Sequence, residues 1–390
     1  HPDAAFLHRP KAPSSLPGSE MSSKRLHLTG NRMGLKLPTV PLPRGEIEVS
    51  SYSEEEIEVE AIRLQGAIRQ HQRWPLETCR SIAPLTLEIN RLKKEKDVFL
   101  IAHTYQTPDI IYGVADEVAD SYTLSKAARD APQQTILFSS VRFMAETAKI
   151  VSPNKTVLHP SPEAGCSLSD GITAQDVRDL RSKYPGVPVA CYINTTAAVK
   201  AECDVSVTSS NYMRICERLP GERLIFVPDR FMGAHLQKAL AGKKEVIVYD
   251  GECEVHEVFT GDKAREWKQR IGDNLTVLAH PECNADVLDE ADFVGSSERL
   301  IQEAIRLGEE GEPDVMLITE CGTAERVLAE TETELNLYGA CVMCRHMKAT
   351  QLEDILQALT NPRSDQIIEI DSEIIAKAQR NLAEMFRLAE

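Results

Sequence analysis

Aromatic residues are scarce, 5% of the chain with 2 tryptophans, and no apolar run approaches the length that a bilayer crossing needs. The start carries no signal peptide with basic, apolar and small-residue zones, so the expectation is a cytoplasmic protein with no membrane partner. Positive charge is in deficit: 44 basic against 60 acidic residues give a formal net charge of −16. A diffuse acidic surface repels a phosphate backbone, which argues against nucleic acid as a partner. A small anionic substrate is still admissible, because its binding depends on the local field. Cysteine, by contrast, is plentiful. Ten cysteines in a 390-residue chain that is 42% hydrophobic, enough for a full-sized core, do not resemble a secreted disulfide framework. They predict a reducing compartment in which thiols stay free for ligation. The length suits two or three domains.

Residues 1–50 lack periodicity and carry prolines among serine, glycine and basic residues, the composition of a flexible tail, with Met21 a candidate native start. Residues 51–96 read as two packing helices. Ser53 and Glu56 form a capping box, and Ile57, Ala61, Leu64 and Ile68 then share one face. The second helix holds Leu85, Ile89 and Leu92 and ends in Lys93-Lys94-Glu95-Lys96, read as a solvated face.

From Val98 short apolar strands alternate with amphipathic helices, and the alternation repeats three times. First strands are predicted at Val98–Ala102, Val189–Tyr192 and Leu275–Ala279. They end in His103-Thr104-Tyr105, in Asn194-Thr195 and in His280-Pro281-Glu282. Serines 121, 209 and 297 then open helices. Last strands lead to Cys166, to Cys253 and to the pair Cys341 and Cys344. The cysteine intervals are 87 residues (166 to 253) and 91 (253 to 344); the strand-end motifs repeat after 91 (103 to 194) and 86 (194 to 280). Three independent markers thus keep one period. The predicted fold is α/β, with three pseudo-equivalent three-layer α/β/α domains (97–187, 188–273, 274–360), each built on a short parallel sheet, around a pseudo-threefold axis. Residues 361–390 supply a closing amphipathic helix with Ile374, Ala378, Leu382, Met385 and Ala389 on one face.

Ligands of open α/β sheets bind beyond the carboxyl ends of the strands, where all these polar residues fall. Serines opening helices suit carboxylate or phosphate. Cys79, Cys191, Cys203 and Cys216 read as small core hydrophobes, and Cys283 and Cys321 sit at strand ends without a clear role. The repeat favours ligation for Cys166, Cys253 and one of Cys341 and Cys344, between which position does not choose; the C-x-x-C is equally a redox pair. Three thiolates suit zinc, or a 4Fe–4S cluster with one open iron. His103 and His280 occupy corresponding strand ends and read as functional. His256 either faces the site or caps a helix. Tyr105 and Glu282, each two residues from a histidine and on its face if the segment is extended, are acid/base candidates, against the plainer readings of core tyrosine and surface glutamate. Arg142 and Glu146 pair at i, i+4. A three-thiolate zinc lyase or hydrolase and a non-catalytic iron–sulfur sensor both fit these residues.

With these motifs in order, the sequence resembles the quinolinate synthase family from about Val98 to Leu359. The resemblance rests on Ala102-His103-Thr104-Tyr105-Gln106, Phe143-Met144-Ala145-Glu146, Ala164-Gly165-Cys166, Tyr192-Ile193-Asn194-Thr195, Cys253-Glu254-Val255-His256, His280-Pro281-Glu282-Cys283 and Cys344-Arg345-His346-Met347, among others. It implies three α/β domains around a 4Fe–4S cluster held by Cys166, Cys253 and Cys344, the Cys-x-x-Met pattern choosing Cys344. It implies condensation of iminoaspartate (iminosuccinate) with dihydroxyacetone phosphate to quinolinate, with loss of phosphate and two waters, in NAD biosynthesis. The enzyme that supplies iminoaspartate is then a candidate partner. Substrate contacts carry over to His103, Ser121, Tyr192, Asn194, Ser209, His280, Glu282 and Ser297, with Tyr105, Glu282 and His280 catalytic. The chain departs from the family at Thr104 (usually Asn or Tyr), Ala119 (usually Gly) and Ser297 (usually Thr, so the hydroxyl is kept).

Overall fold

The computed structural model describes residues 49–67 and 74–390; the expected tail, Met21 and Ile68 lie outside them, apart from the tail's last two residues. Three four-stranded sheets are built from β1 (Val98–His103), β2 (Glu117–Ala119), β3 (Thr135–Ser139) and β4 (Thr156–Leu158); β5 (Val189–Tyr192), β6 (Val205–Val207), β7 (Arg223–Val227) and β8 (Glu245–Val248); β9 (Thr276–Ala279), β10 (Phe293–Val294), β11 (Asp314–Ile318) and β12 (Asn336–Tyr338). Their orders are β2-β1-β3-β4, β6-β5-β7-β8 and β10-β9-β11-β12, the same arrangement three times. All pairings are parallel. The central strands are apolar runs buried on both faces, Val189-Ala190-Cys191-Tyr192 throughout, as a parallel strand covered by helices on each side requires. In each sheet the connections leave the first and third strands toward opposite edges. A crevice therefore opens at their carboxyl ends.

A further repeated device escaped the sequence reading. An aspartate ahead of each second strand accepts a backbone N–H of the first: Asp116 from Leu100 at 2.8 Å, Asp204 from Val189 at 2.7 Å and Asp292 from Val277 at 2.8 Å. Each aspartate also meets a cation from the helix preceding the first strand: Lys93 at 2.7 Å, Arg181 at 2.8 Å and Lys268 at 3.8 Å. Lys93 is therefore buried, contrary to the solvated face expected of its run, because its ammonium is spent on Asp116 and the Val114 carbonyl.

Ser53 and Glu56 form the expected capping box, Glu56 N–H donating to Ser53 Oγ at 3.2 Å and Ser53 N–H to Glu56 Oε2 at 2.8 Å. The helices Glu54–Ala67 and Leu76–Glu95, with Leu352–Thr360, cover the first sheet. The closing helix Ser372–Ala389 lies on the second unit, where Asn381 receives the Ser206 hydroxyl at 2.5 Å and donates to the Cys203 carbonyl at 3.2 Å. Ala378, Leu382 and Met385 are buried there, as the periodicity predicts.

Candidate active site

A cavity lies where the carboxyl ends of the three sheets meet. The first unit contributes His103, Tyr105, Ser121 and Cys166 to its wall, the second Tyr192, Asn194, Ser209 and Cys253, the third His280, Glu282, Ser297 and Cys344. Every predicted site residue is thus on one wall, and His256 joins them. Sequence reasoning gave no role to Val141, Phe143, Val255 and Met347, which form the apolar part. Their neighbours in sequence, Glu146, Cys253 and Cys344, were the available signal.

Two glycines allow the last strands to deliver their thiols. A Cβ on Gly251 would sit 2.5 Å from the Pro228 carbonyl oxygen, and one on Gly339 (φ 126°) would run into that of Leu317. Only a residue without a side chain lets the chain pass so close over the end of the neighbouring strand.

Tyr105 and Glu282 reach the cavity by a turn; they do not extend their strands. The Tyr105 N–H donates to His103 Nδ1 at 3.1 Å, and Glu282 N–H approaches His280 Nδ1 at 3.4 Å. The His-x-Tyr and His-x-Glu segments share this geometry. It leaves the Nε2–H of a neutral His103 free to donate. Burial, followed by the nearby His280, Arg326 and Lys348, drives His103 down to about 3.

The polar groups form one continuous chain. Ser297 Oγ lies 2.6 Å from Tyr105 OH, which lies 3.2 Å from Thr319 Oγ1; Thr319 Oγ1 lies 3.2 Å from His256 Nε2. His256 Nδ1 lies 3.3 Å from Glu282 Oε2, which also meets His280 Nδ1 at 3.1 Å. Satisfying the chain from Tyr105 to Glu282 assigns the protons: Tyr105 donates to Thr319, Thr319 to His256 Nε2, and His256 Nδ1–H to Glu282. Burial acts to raise Glu282, but His256 and His280 outweigh it and hold the carboxyl below its ordinary value. Burial also drives His256 down to about 3, so at neutral pH its contribution is a hydrogen bond from a neutral ring. Burial raises Tyr105 well above its usual value, which keeps its proton in place. Glu282 Oε1 and Asn194 Oδ1 are buried without partners, as atoms awaiting a ligand would be.

Ser121 and Ser297 are the first residues of the helices Ser121–Asp130 and Ser297–Glu309. Ser209 corrects the expectation. The helix Tyr212–Arg218 begins three residues beyond it, with Asn211 at the cap position and its Oδ1 accepting the Thr208 N–H at 2.7 Å, so Ser209 sits on a turn. The Asn211 bond to Thr208 N–H closes an extra turn ahead of the helix.

The thiols divide as the repeat predicts. Cys79, Cys191, Cys203, Cys216 and Cys283 are buried, whereas Cys166, Cys253 and Cys344 are partly open to the cavity. Cys321 and Cys341 are joined in a disulfide, which corrects two expectations: not every thiol is free, and the partner of Cys341 is Cys321, across a sequence separation of 20, and not its C-x-x-C neighbour. With Cys341 in the disulfide, Cys344 is the free thiol that the third unit places on the cavity wall. The backbone N–H of Cys344 donates to the buried Glu320 at 3.2 Å, and Lys348 lies 3.5 Å from that carboxylate while donating to the Tyr105 carbonyl at 2.6 Å. Burial pushes Cys166 up to about 12 and Cys344 up to about 11, so a metal must displace their protons to bind them. Three half-open thiols on one wall fit a three-thiolate centre. Cys253, His256 and Glu282 also bring one ligand atom each within 4.8 Å of one another.

Fold and site together define an α/β enzyme in which three repeated units close on one cavity that combines thiols with an acid/base chain. The profile of the Quinolinate synthetase A protein family matches residues 87–387. A quinolinate synthase of Caulobacter vibrioides is 39% identical over 337 residues, 85% of this chain and 89% of the relative. That of Clostridioides difficile is 40% identical over 308 residues, covering 78% and 98%. Quinolinate synthase 2 of Mesorhizobium japonicum is 42% identical over 288 residues, covering 74% and 86%. The chain belongs to the quinolinate synthase family. Among the described residues no helix is long and apolar enough to cross a membrane.

Proposed function

We propose that this chain condenses iminoaspartate with dihydroxyacetone phosphate to quinolinate, releasing phosphate and two waters, in the cytoplasmic synthesis of NAD. The balance is redox-neutral, so no electron carrier is needed. The observation that carries the reading is the unbroken chain from Ser297 through Tyr105, Thr319 and His256 to Glu282, beside three thiols. Cys166, Cys253 and Cys344 would hold a 4Fe–4S cluster, which supplies a Lewis acid that assists loss of water.

The protein's own groups do the rest. His103 Nε2–H, Tyr192, Asn194, Ser209 and the helix starts at Ser121 and Ser297 hold the carboxylates and the triose phosphate. Glu282, kept ionised by its two histidines, takes a carbon-bound proton during tautomerisation. Tyr105, kept protonated by burial, gives one to a departing hydroxyl. In this polarity the Thr319–His256 link holds the two groups in complementary states, Tyr105 protonated and Glu282 ionised. His280 orients Glu282 from its other side. Both substrates are small molecules, and the enzyme that makes iminoaspartate would be a passing partner.

The test is to mix both substrates with anaerobically prepared protein and follow products by mass spectrometry. Quinolinate and phosphate in equal amounts are expected; iron-replete protein that makes neither would refute the reading. The convergence of Cys253, His256 and Glu282 favours a second reading, a zinc lyase with a sulfur, nitrogen and oxygen ligand set. Zinc in place of iron in the active protein would establish it.

A further inference from the structure

Among the described residues, no lysine or arginine lines the cavity, although both proposed substrates are anions. One ammonium is nonetheless buried directly behind the wall. Lys200 has 0% exposure, a rare condition for lysine. Its Nζ donates to the Ile193 carbonyl at 2.7 Å and to the Thr195 carbonyl, and it lies 3.3 Å from Thr195 Oγ1. The two carbonyls it grips stand on either side of Asn194. Its ammonium is also 5.6 Å from the ring centre of Phe143, which is part of the cavity wall.

The same loop is held at both ends. Thr195 Oγ1 donates to the Tyr192 carbonyl at 3.0 Å, and Ala197 N–H donates to Glu146 Oε2 at 2.8 Å, so a carboxylate of the first unit fixes a helix start of the second. Between these holds sits Asn194, on the cavity wall with a buried side-chain oxygen that has no partner. A methionine would fill the Lys200 slot without removing a charge from water, so packing alone does not account for an ammonium there.

We propose that Lys200 is a positioning residue: by gripping the carbonyls on both sides of Asn194, it fixes the Asn194 carboxamide so that its Nδ2–H donates to a carboxylate of the bound anion. The inference rests on the proposed condensation, and it assigns to Lys200 the part of anion recognition that no cation on the wall supplies. Glu146 is the matching hold from the first unit.

Two readouts test it on the iron-replete enzyme: anaerobic calorimetry with quinolinate as the probe, and the separation of KM from kcat. Lys200→Met should weaken quinolinate binding and raise KM about ten-fold, the scale of one charge-assisted hydrogen bond. Iron content and kcat should stay near wild type. Because Lys200 acts through Asn194, the double variant Asn194→Ala/Lys200→Met should bind no more weakly than Asn194→Ala alone. Unchanged binding in Lys200→Met, or losses that add in the double variant, would overturn the proposal. If Lys200→Met does not fold, Glu146→Ala takes its place: a smaller loss coupled to Asn194 is expected, and a loss independent of Asn194 is contrary. Wild-type protein that neither binds nor makes quinolinate would instead remove the functional reading, and this inference with it.

Discussion

The first and third units differ from the second in what they place at the same position. All three share one strand order, one aspartate–cation clasp and one free cysteine after the last strand. Yet β1 and β9 end in a histidine turn that presents Tyr105 and Glu282, whereas β5 ends in a loop gripped from behind by Lys200. Helices of 10 and 13 residues start at Ser121 and Ser297, while Ser209 lies on a turn before a helix of 7. The repeat fixes where groups can stand; in the proposed reaction, the first and third units supply the proton-transfer pair Tyr105 and Glu282, and the second supplies Asn194 and the His256 link.

The thiols are the part of the comparison in which all units should behave alike. Cys166→Ser, Cys253→Ser and Cys344→Ser are each expected to abolish iron binding and activity, whereas Cys341→Ser keeps both; iron analysis of the four variants decides. Next in size come the proton-transfer groups of the outer units. Glu282→Gln and Tyr105→Phe should lose about 10²–10⁴-fold in kcat with iron retained. A loss confined to KM would place them with the second unit.

The serines then sharpen the contrast. Ser297→Ala removes a partner of Tyr105 and a helix-start hydroxyl and should cost about ten-fold in kcat/KM. Ser209→Ala should cost about three-fold or less, and equal losses would erase the distinction.

The smallest effect concerns acid. Burial depresses His103 to about 3 and His159 to about 4, from 6.5. Each is neutral when folded, so the unfolded chain binds more protons between those values and 6.5. Stability is full above pH 6.5 and falls with pH toward 4, by about 1.4 kcal/mol per pH unit for each histidine. Both residues belong to the first unit. His256, likewise driven down to about 3, belongs to the second, so hydrogen exchange should show the first and second units loosening ahead of the third as pH is lowered; earliest loosening of the third would contradict the assignment.

Much of this was legible in the residues. The buried strands are β-branched runs too short for helices, and the intervals between strand-end motifs and cysteines repeat closely enough to reveal the units. The Cys321–Cys341 bond was not legible, because no local spacing encodes a pairing between a helix start and the segment after the next strand. Thr208-Ser209-Ser210-Asn211 offers four successive residues able to cap a helix, so the true start could not be read. Lys200 sits in a helix of 6 residues, too short for periodicity to tell an inward lysine from a solvated one. The aspartate clasp keeps the period too, but charged residues are common enough to hide it.

The central claim is that one thiol from each of three repeated units holds a single iron–sulfur centre in the cavity that carries the acid/base chain. Iron, sulfide and zinc analysis of anaerobically purified protein, with its absorption spectrum, tests this most directly. A brown protein with about four iron and about four sulfide per chain and no zinc is the predicted result. A colourless protein, or a Cys166→Ser variant that keeps its full iron content, would contradict it.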